Sequence, residues 1–135
     1  METVSSEYFH GTNGDNILNI IEKGQIFPGK NQKIFLGRYS WESCMMHGPD
    51  RKRRASFVIK VRIIATDDVR TIFRETHGVR DAVEIQTDKP IPVEVLEMYV
   101  RRLVKDEPAK LDRFVGKTNI INNIINFLGP ALTHA

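Results

Sequence analysis

Between Ser56 and Ile64 apolar and polar side chains alternate, with Phe57, Ile59, Val61 and Ile63 on one face and Ser56, Lys60 and Arg62 on the other. A period of two fits a half-buried strand and nothing helical, so the chain must bury one face of a sheet. Around this strand, short apolar stretches of strand and helix length alternate. Val4–His10 reads as an opening strand that ends in His10-Gly11-Thr12, and Asn13 to Asn16 then offer N-caps for a helix carrying Ile17, Leu18, Ile20 and Ile21. Gly24 closes that helix as a left-handed C-terminal residue. Lys33–Leu36 makes a short strand after the Pro28-Gly29 turn, and Ser40 caps a two-turn helix that stops before Gly48-Pro49.

Further along, Thr66 is expected to cap a helix carrying Val69, Ile72 and Phe73 and ending at Gly78. Ala82–Thr87 reads as a strand with Val83 and Ile85 inward and Glu84 and Gln86 outward. Pro90 and Pro92 end it, Leu96–Val100 alternates again, and Thr118–Leu128 forms an amphipathic helix with an Ile stripe opposite Asn119, Asn122, Asn123 and Asn126. Hairpin-length connections with three or four short helices favour an α+β domain on antiparallel sheets over a parallel βαβ fold. A length of 135 residues, 41% of them apolar, fits one domain.

Composition narrows the chemistry. The single Cys44 excludes an internal disulfide, and with four scattered histidines it supplies no structural zinc set, so a reducing compartment is expected. No apolar run spans a bilayer, and Met1–Tyr8 lacks the features of a signal peptide, which points to a soluble protein acting in the cytoplasm with no membrane partner, even if delivered as part of a larger secreted protein. Twenty Lys and Arg against 17 Asp and Glu give +3, which permits a polyanionic partner without requiring one.

Three segments together point to a site: His10-Gly11-Thr12 at a strand end, Ile34-Phe35-Leu36 leading into a capped helix, and Glu84 on a late strand. In that order and spacing the chain resembles the ADP-ribosyltransferase superfamily, in the His-Tyr-Glu branch that includes diphtheria toxin and the poly(ADP-ribose) polymerases. The resemblance covers residues 6–100, leaving 101–135 as a C-terminal helical extension. Tyr8-Phe9-His10-Gly11-Thr12 is similar to the first motif, Ile34 to Ser43 to the second, and Val83-Glu84-Ile85-Gln86-Thr87 followed by Pro90-Ile91-Pro92 to the third.

The resemblance implies a split β-sandwich of two antiparallel sheets around an NAD cleft, with the activity of a mono-ADP-ribosyltransferase of the small bacterial toxin type. It assigns His10, Gly11 and Thr12 to NAD, an aromatic ring at Phe35 or Tyr39 to the nicotinamide, Ser43 to its amide, and Glu84 to catalysis. Chemically, cleavage of the nicotinamide–ribose bond builds positive charge on the sugar, which a carboxylate stabilises. The second motif normally presents Tyr where this chain has Phe35, so Phe35 and Tyr39 compete for the aromatic role. The arginine-modifying branch of the superfamily carries an acidic or Gln residue two positions before its catalytic Glu, where this chain has Ala82, so the resemblance disfavours arginine as acceptor.

The basic run Arg51, Lys52, Arg53 and Arg54, with Lys60 and Arg62, suits either the NAD pyrophosphate or a nucleic-acid backbone. RNA is accordingly the favoured acceptor, with a protein or a small molecule as alternatives. A toxin role implies a cognate antitoxin or immunity protein. A tRNA 2′-phosphotransferase should carry more Arg and His in its motifs, and a non-enzymatic RNA-binding module would use the same basic run.

Overall fold

The computed structural model describes residues 7–38, 40–64, 70–73, 82–102, 108 and 110–133. Nine strands occur among them: β1 (Glu7–Thr12), β2 (Gln25–Ile26), β3 (Lys33–Gly37), β4 (Pro49–Asp50), β5 (Ala55–Ile63), β6 (Arg70–Phe73), β7 (Ala82–Gln86), β8 (Ile91–Arg102) and β9 (Lys110–Val115). Two α-helices, α1 (Gly14–Lys23) and α2 (Lys117–Thr133), and a 3-10 helix, Glu42–His47, complete them. The strands run in the order β2-β8-β5-β1-β3-β7-β6, with β4 added to β5 and β9 to β8. Every pairing among the described strands is antiparallel, so the protein is α+β. No helix among the described residues is long and apolar enough to cross a membrane.

The alternation in β5 sets the layers. Phe57, Ile59 and Val61 are buried and face α1 and α2, which contribute Ile17, Ile20, Ile21, Ile120 and Ile124 to one core. Val58 is buried too, because the 3-10 helix covers the other face and packs Cys44 and Met45 against Val58 and Tyr99. Helix α1 is capped by Asn13, whose side chain accepts the N–H of Asn16, and ends at Gly24 with φ 65°. That positive φ is the conformation for which glycine is favoured.

Sheet continuity is weakest between β1 and β3, which meet only at Phe9↔Gly37. On one side of this contact β1 pairs with β5 over all six of its residues, and on the other β3 pairs with β7 over all five.

Four expectations need correction. Residues 70–73 are strand β6 and not helix: Ile72 pairs with Glu84 and Phe73 with Val83, so sheet pairing outweighs the three-to-four spacing of Val69, Ile72 and Phe73. Thr66, Val69 and Gly78 lie outside the described residues. The helix after Ser40 is 3-10, its N-cap position is Trp41, and the Ser40 hydroxyl accepts the N–H of Glu42. Strand β8 begins at Ile91 and absorbs Pro92, which sits near the strand start where a missing N–H is tolerated. The segment after residue 100 is not purely helical, since β9 precedes α2 and pairs with β8 from Glu97↔Val115 to Arg102↔Lys110.

Candidate functional site

The three sequence segments lie on neighbouring strands, β1, β3 and β7. His10 stands just past the single β1–β3 contact, and its Nδ1 lies 3.0 Å from the carbonyl oxygen of Phe35. Since a carbonyl only accepts, Nδ1 is the donor in this contact. The side chain thus bridges β1 and β3 where their backbone ladder stops.

Phe35 and Glu84 are directly paired across β3 and β7, so their side chains share one face of the sheet. It is the face opposite Ile34, Leu36 and Ile85, which belong to the core. Phe35 is 45% exposed and Glu84 only 2%. The outward direction expected for Glu84 therefore holds relative to the main core, yet the carboxylate lies beneath the surface. Lys33 Nζ sits 3.0 Å from Glu84 Oε1, reaching it from the same face of β3 two residues before Phe35. Sequence reading passed over Lys33; the period of two in β3 puts it beside Phe35, and the β3–β7 register then puts it beside Glu84.

Other residues of the motifs serve the fold visibly. Gly11 pairs with Val58, inside β1 and not beyond its end. Thr12 is buried, and its hydroxyl accepts from the Asn16 side chain at 3.0 Å, tying β1 to the first turn of α1. Trp41 stacks on Tyr99 at 5.3 Å and 11°, so one ring face is used there. Burial pushes the Tyr8 phenol up, against the pull of the Arg38 charge. Tyr39 lies outside the described residues, and Ser43 is placed on the 3-10 helix by its backbone alone.

The basic run forms the turn between β4 and β5, with Arg51, Lys52 and Arg54 exposed. Arg53 differs. Its guanidinium lies 2.7 Å from Asp50 Oδ2 and 3.0 Å from Asp15 Oδ1, and Asp50 also accepts the N–H of Gly14 at 3.0 Å. This knot locks the turn to the N-terminus of α1, where a carboxylate is favoured by the helix dipole.

Burial acts to raise the Asp50 pKa, but the Gly14 N–H and the Arg53 guanidinium overcome it and hold the carboxyl below its ordinary range. A depressed folded pKa contributes stability that is full above the unfolded value and lost as pH falls through the folded one. Asp50→Asn is expected to cost about 3 kcal/mol at neutral pH, because it breaks the buried pair and leaves Arg53 with only the exposed Asp15 carboxylate. The gap between the urea midpoints of the two proteins should start to narrow below about pH 4 and close as pH falls through the depressed folded value. A gap that stays constant into acid would contradict this account of Asp50.

Against models of known protein families, characterised proteins and solved structures, the chain shows no match.

Proposed function

We propose that the protein is an NAD-dependent mono-ADP-ribosyltransferase with RNA as its acceptor. One observation carries the reading: the segments holding His10, Phe35 and Glu84, widely separated in sequence, occupy adjacent strands, with Phe35 and Glu84 paired and His10 bonded to the Phe35 backbone. The parting of β1 from β3 after one contact supports the finer reading of a split β-sandwich whose cleft opens between these strands.

The residues present suit NAD as a substrate. A half-exposed ring at Phe35 offers a face for the planar nicotinamide, the His10 imidazole and the Gly11 backbone offer polar partners for the rest of the dinucleotide, and Glu84 offers the negative charge. In the reaction the bond between the nicotinamide nitrogen and the ribose C1′ breaks, its electron pair leaving with nicotinamide. An acceptor oxygen or nitrogen bonds C1′ and its proton passes to solvent. Glu84 stabilises the positive charge that builds on the sugar. For the carboxylate to face ribose, Lys33 must swing aside, which its flexible four-carbon stem and 24% exposed side chain allow.

The acceptor is tested with NAD labelled in its adenine and total cellular RNA. Label should become bound to RNA and be released by ribonuclease. Label on protein would replace RNA by a protein acceptor, and nicotinamide release with label left as free ADP-ribose would reduce the activity to NAD hydrolysis. His10→Ala should raise the KM for NAD about tenfold by loss of a positioning contact; an unchanged KM would remove His10 from the NAD site.

A further inference from the structure

Strand register gathers a second cationic group around the β4–β5 turn. Ala55, which follows the turn directly, pairs with Arg102, and Ser56 pairs with Arg101. Arg102 in turn pairs with Lys110 at the start of β9. Arg51, Lys52, Arg54, Arg101, Arg102 and Lys110 are all exposed, and they stand at one end of the sheet. The sequence holds them in groups about fifty residues apart, and the fold gathers them at one end of the sheet, where Arg102 faces α2 and Arg101, its neighbour on β8, faces the opposite side, so the cations wrap the sheet's end. Arg53 is the member of the run turned inward, and its bonds to Asp50 and Asp15 fix the turn from which its neighbours project.

At the same end, a cavity of about 420 Å³ is lined by Arg102, Asp112, Phe114, Asn123 and Asn126. Its lining brings α2 against β8 and β9. Arg102 and Asp112 pair at 2.8 Å across its wall. The Asn123 amide is oriented by bonds from its Nδ2 to the Asn119 side chain at 2.9 Å and to the Asn119 carbonyl at 2.8 Å. An aromatic ring, a carboxylate and side-chain amides are the groups that stack on a nucleobase and read its edge, and the volume falls in the range of small-ligand sites. The Asn-rich face of α2 has no part in the NAD reading, and here it supplies base-reading groups.

We infer that this end of the sheet is a single-stranded RNA-binding surface, in which the exposed cations hold the phosphate backbone and the cavity between α2 and β8–β9 takes one unstacked base. The charge of the surface complements a polyanion, and the mixed polar and aromatic cavity beside it selects a base over a lipid headgroup. The inference rests on the RNA half of the proposed function and is independent of the NAD half. The β8–β9 side of the surface is separated from Glu84 on β7 by β5, β1 and β3, and the β4–β5 turn stands nearer, beside the start of α1.

The test is fluorescence anisotropy of short labelled RNA oligonucleotides with the full chain, in the absence of NAD. Wild type should bind with an affinity that falls steeply as salt rises, and Lys52→Glu/Arg101→Glu should bind at least about tenfold more weakly, with a salt slope smaller by roughly one to two. Asn126→Asp should change the preference among oligo(A), oligo(C) and oligo(U) about threefold or more while leaving the salt slope in place. The substituted residues are exposed, and circular dichroism of each variant is the control for folding.

No binding by wild type at about 100 µM protein, or equal binding by the double variant, overturns the surface. Base preference unaltered by Asn126→Asp overturns the base site. Binding to anionic lipid vesicles that RNA does not compete away overturns RNA as the partner. Because NAD is absent, a negative result removes the RNA surface whatever nicotinamide release shows, and an absence of nicotinamide release leaves the surface standing.

Discussion

Gly48→Ala is expected to destabilise the protein by about 3 kcal/mol or more, enough to lower the melting temperature by on the order of 10 °C. A Cβ placed on Gly48 would lie 2.0 Å from the carbonyl oxygen of Phe57 and 3.0 Å from its carbon. Both are backbone atoms of β5, and Gly48 itself accepts the N–H of Phe57 at 2.9 Å. Neither side can yield without moving the strand whose inward face forms the core. The backbone of Gly48 has φ −115°, so the constraint is space and not conformation. Gly29→Ala is the matched control: the nearest atom to its Cβ is 3.5 Å away, ordinary contact, and its cost should stay below about 1 kcal/mol. Equal melting temperatures for Gly48→Ala and wild type would mean that the β5 contact is not as close as described.

The second large effect concerns Lys33, which enters the site only through the fold. Lys33→Met removes the cation beside a carboxylate that is 2% exposed, and breaking one partner of such a pair is expected to cost about 3 kcal/mol in stability. Neutralising the carboxylate as well, in Lys33→Met/Glu84→Gln, should recover part of it, since the penalty comes from a buried charge that has lost its lysine. Urea denaturation of the two single variants and the double variant measures the coupling directly. Strict additivity would show that Lys33 and Glu84 do not interact, and the picture of a lysine that guards the carboxylate would fail.

What the sequence disclosed followed from local signals. Helix α1 was legible because Asn13, the Ile stripe and Gly24 are start, face and stop signals within one short segment, and β5 because its alternation is long. Residues 70–73 misled for the same local reason: Ile72 and Phe73 with Val69 match a helical face, while the pairing with β7 that decides the outcome is set by residues ten or more positions away. Strand β9 was hidden because its exposed face carries Leu111 and Val115 and its inner face carries Asp112, an inversion of the usual pattern.

At the candidate site, residue types were legible and their environment was not. His10, Phe35 and Glu84 could be named from motifs, but the burial of Glu84, its contact with Lys33 and the bond from His10 to the Phe35 carbonyl all depend on which strands are neighbours. Likewise the run Arg51–Arg54 reads as four equivalent cations, whereas Asp15 and Asp50 withdraw Arg53 into a structural role.

The most direct measurement of the central claim is the initial rate of nicotinamide release from NAD by wild type, Glu84→Gln and Glu84→Asp, each shown to be folded by its melting curve, with cellular RNA present. The account predicts measurable release by wild type and a rate lower by about a hundredfold or more for Glu84→Gln, since the amide cannot offset charge on the sugar, with Glu84→Asp retaining part of the activity. Release by wild type that Glu84→Gln leaves unchanged, or no release by folded wild type with RNA present, would contradict it.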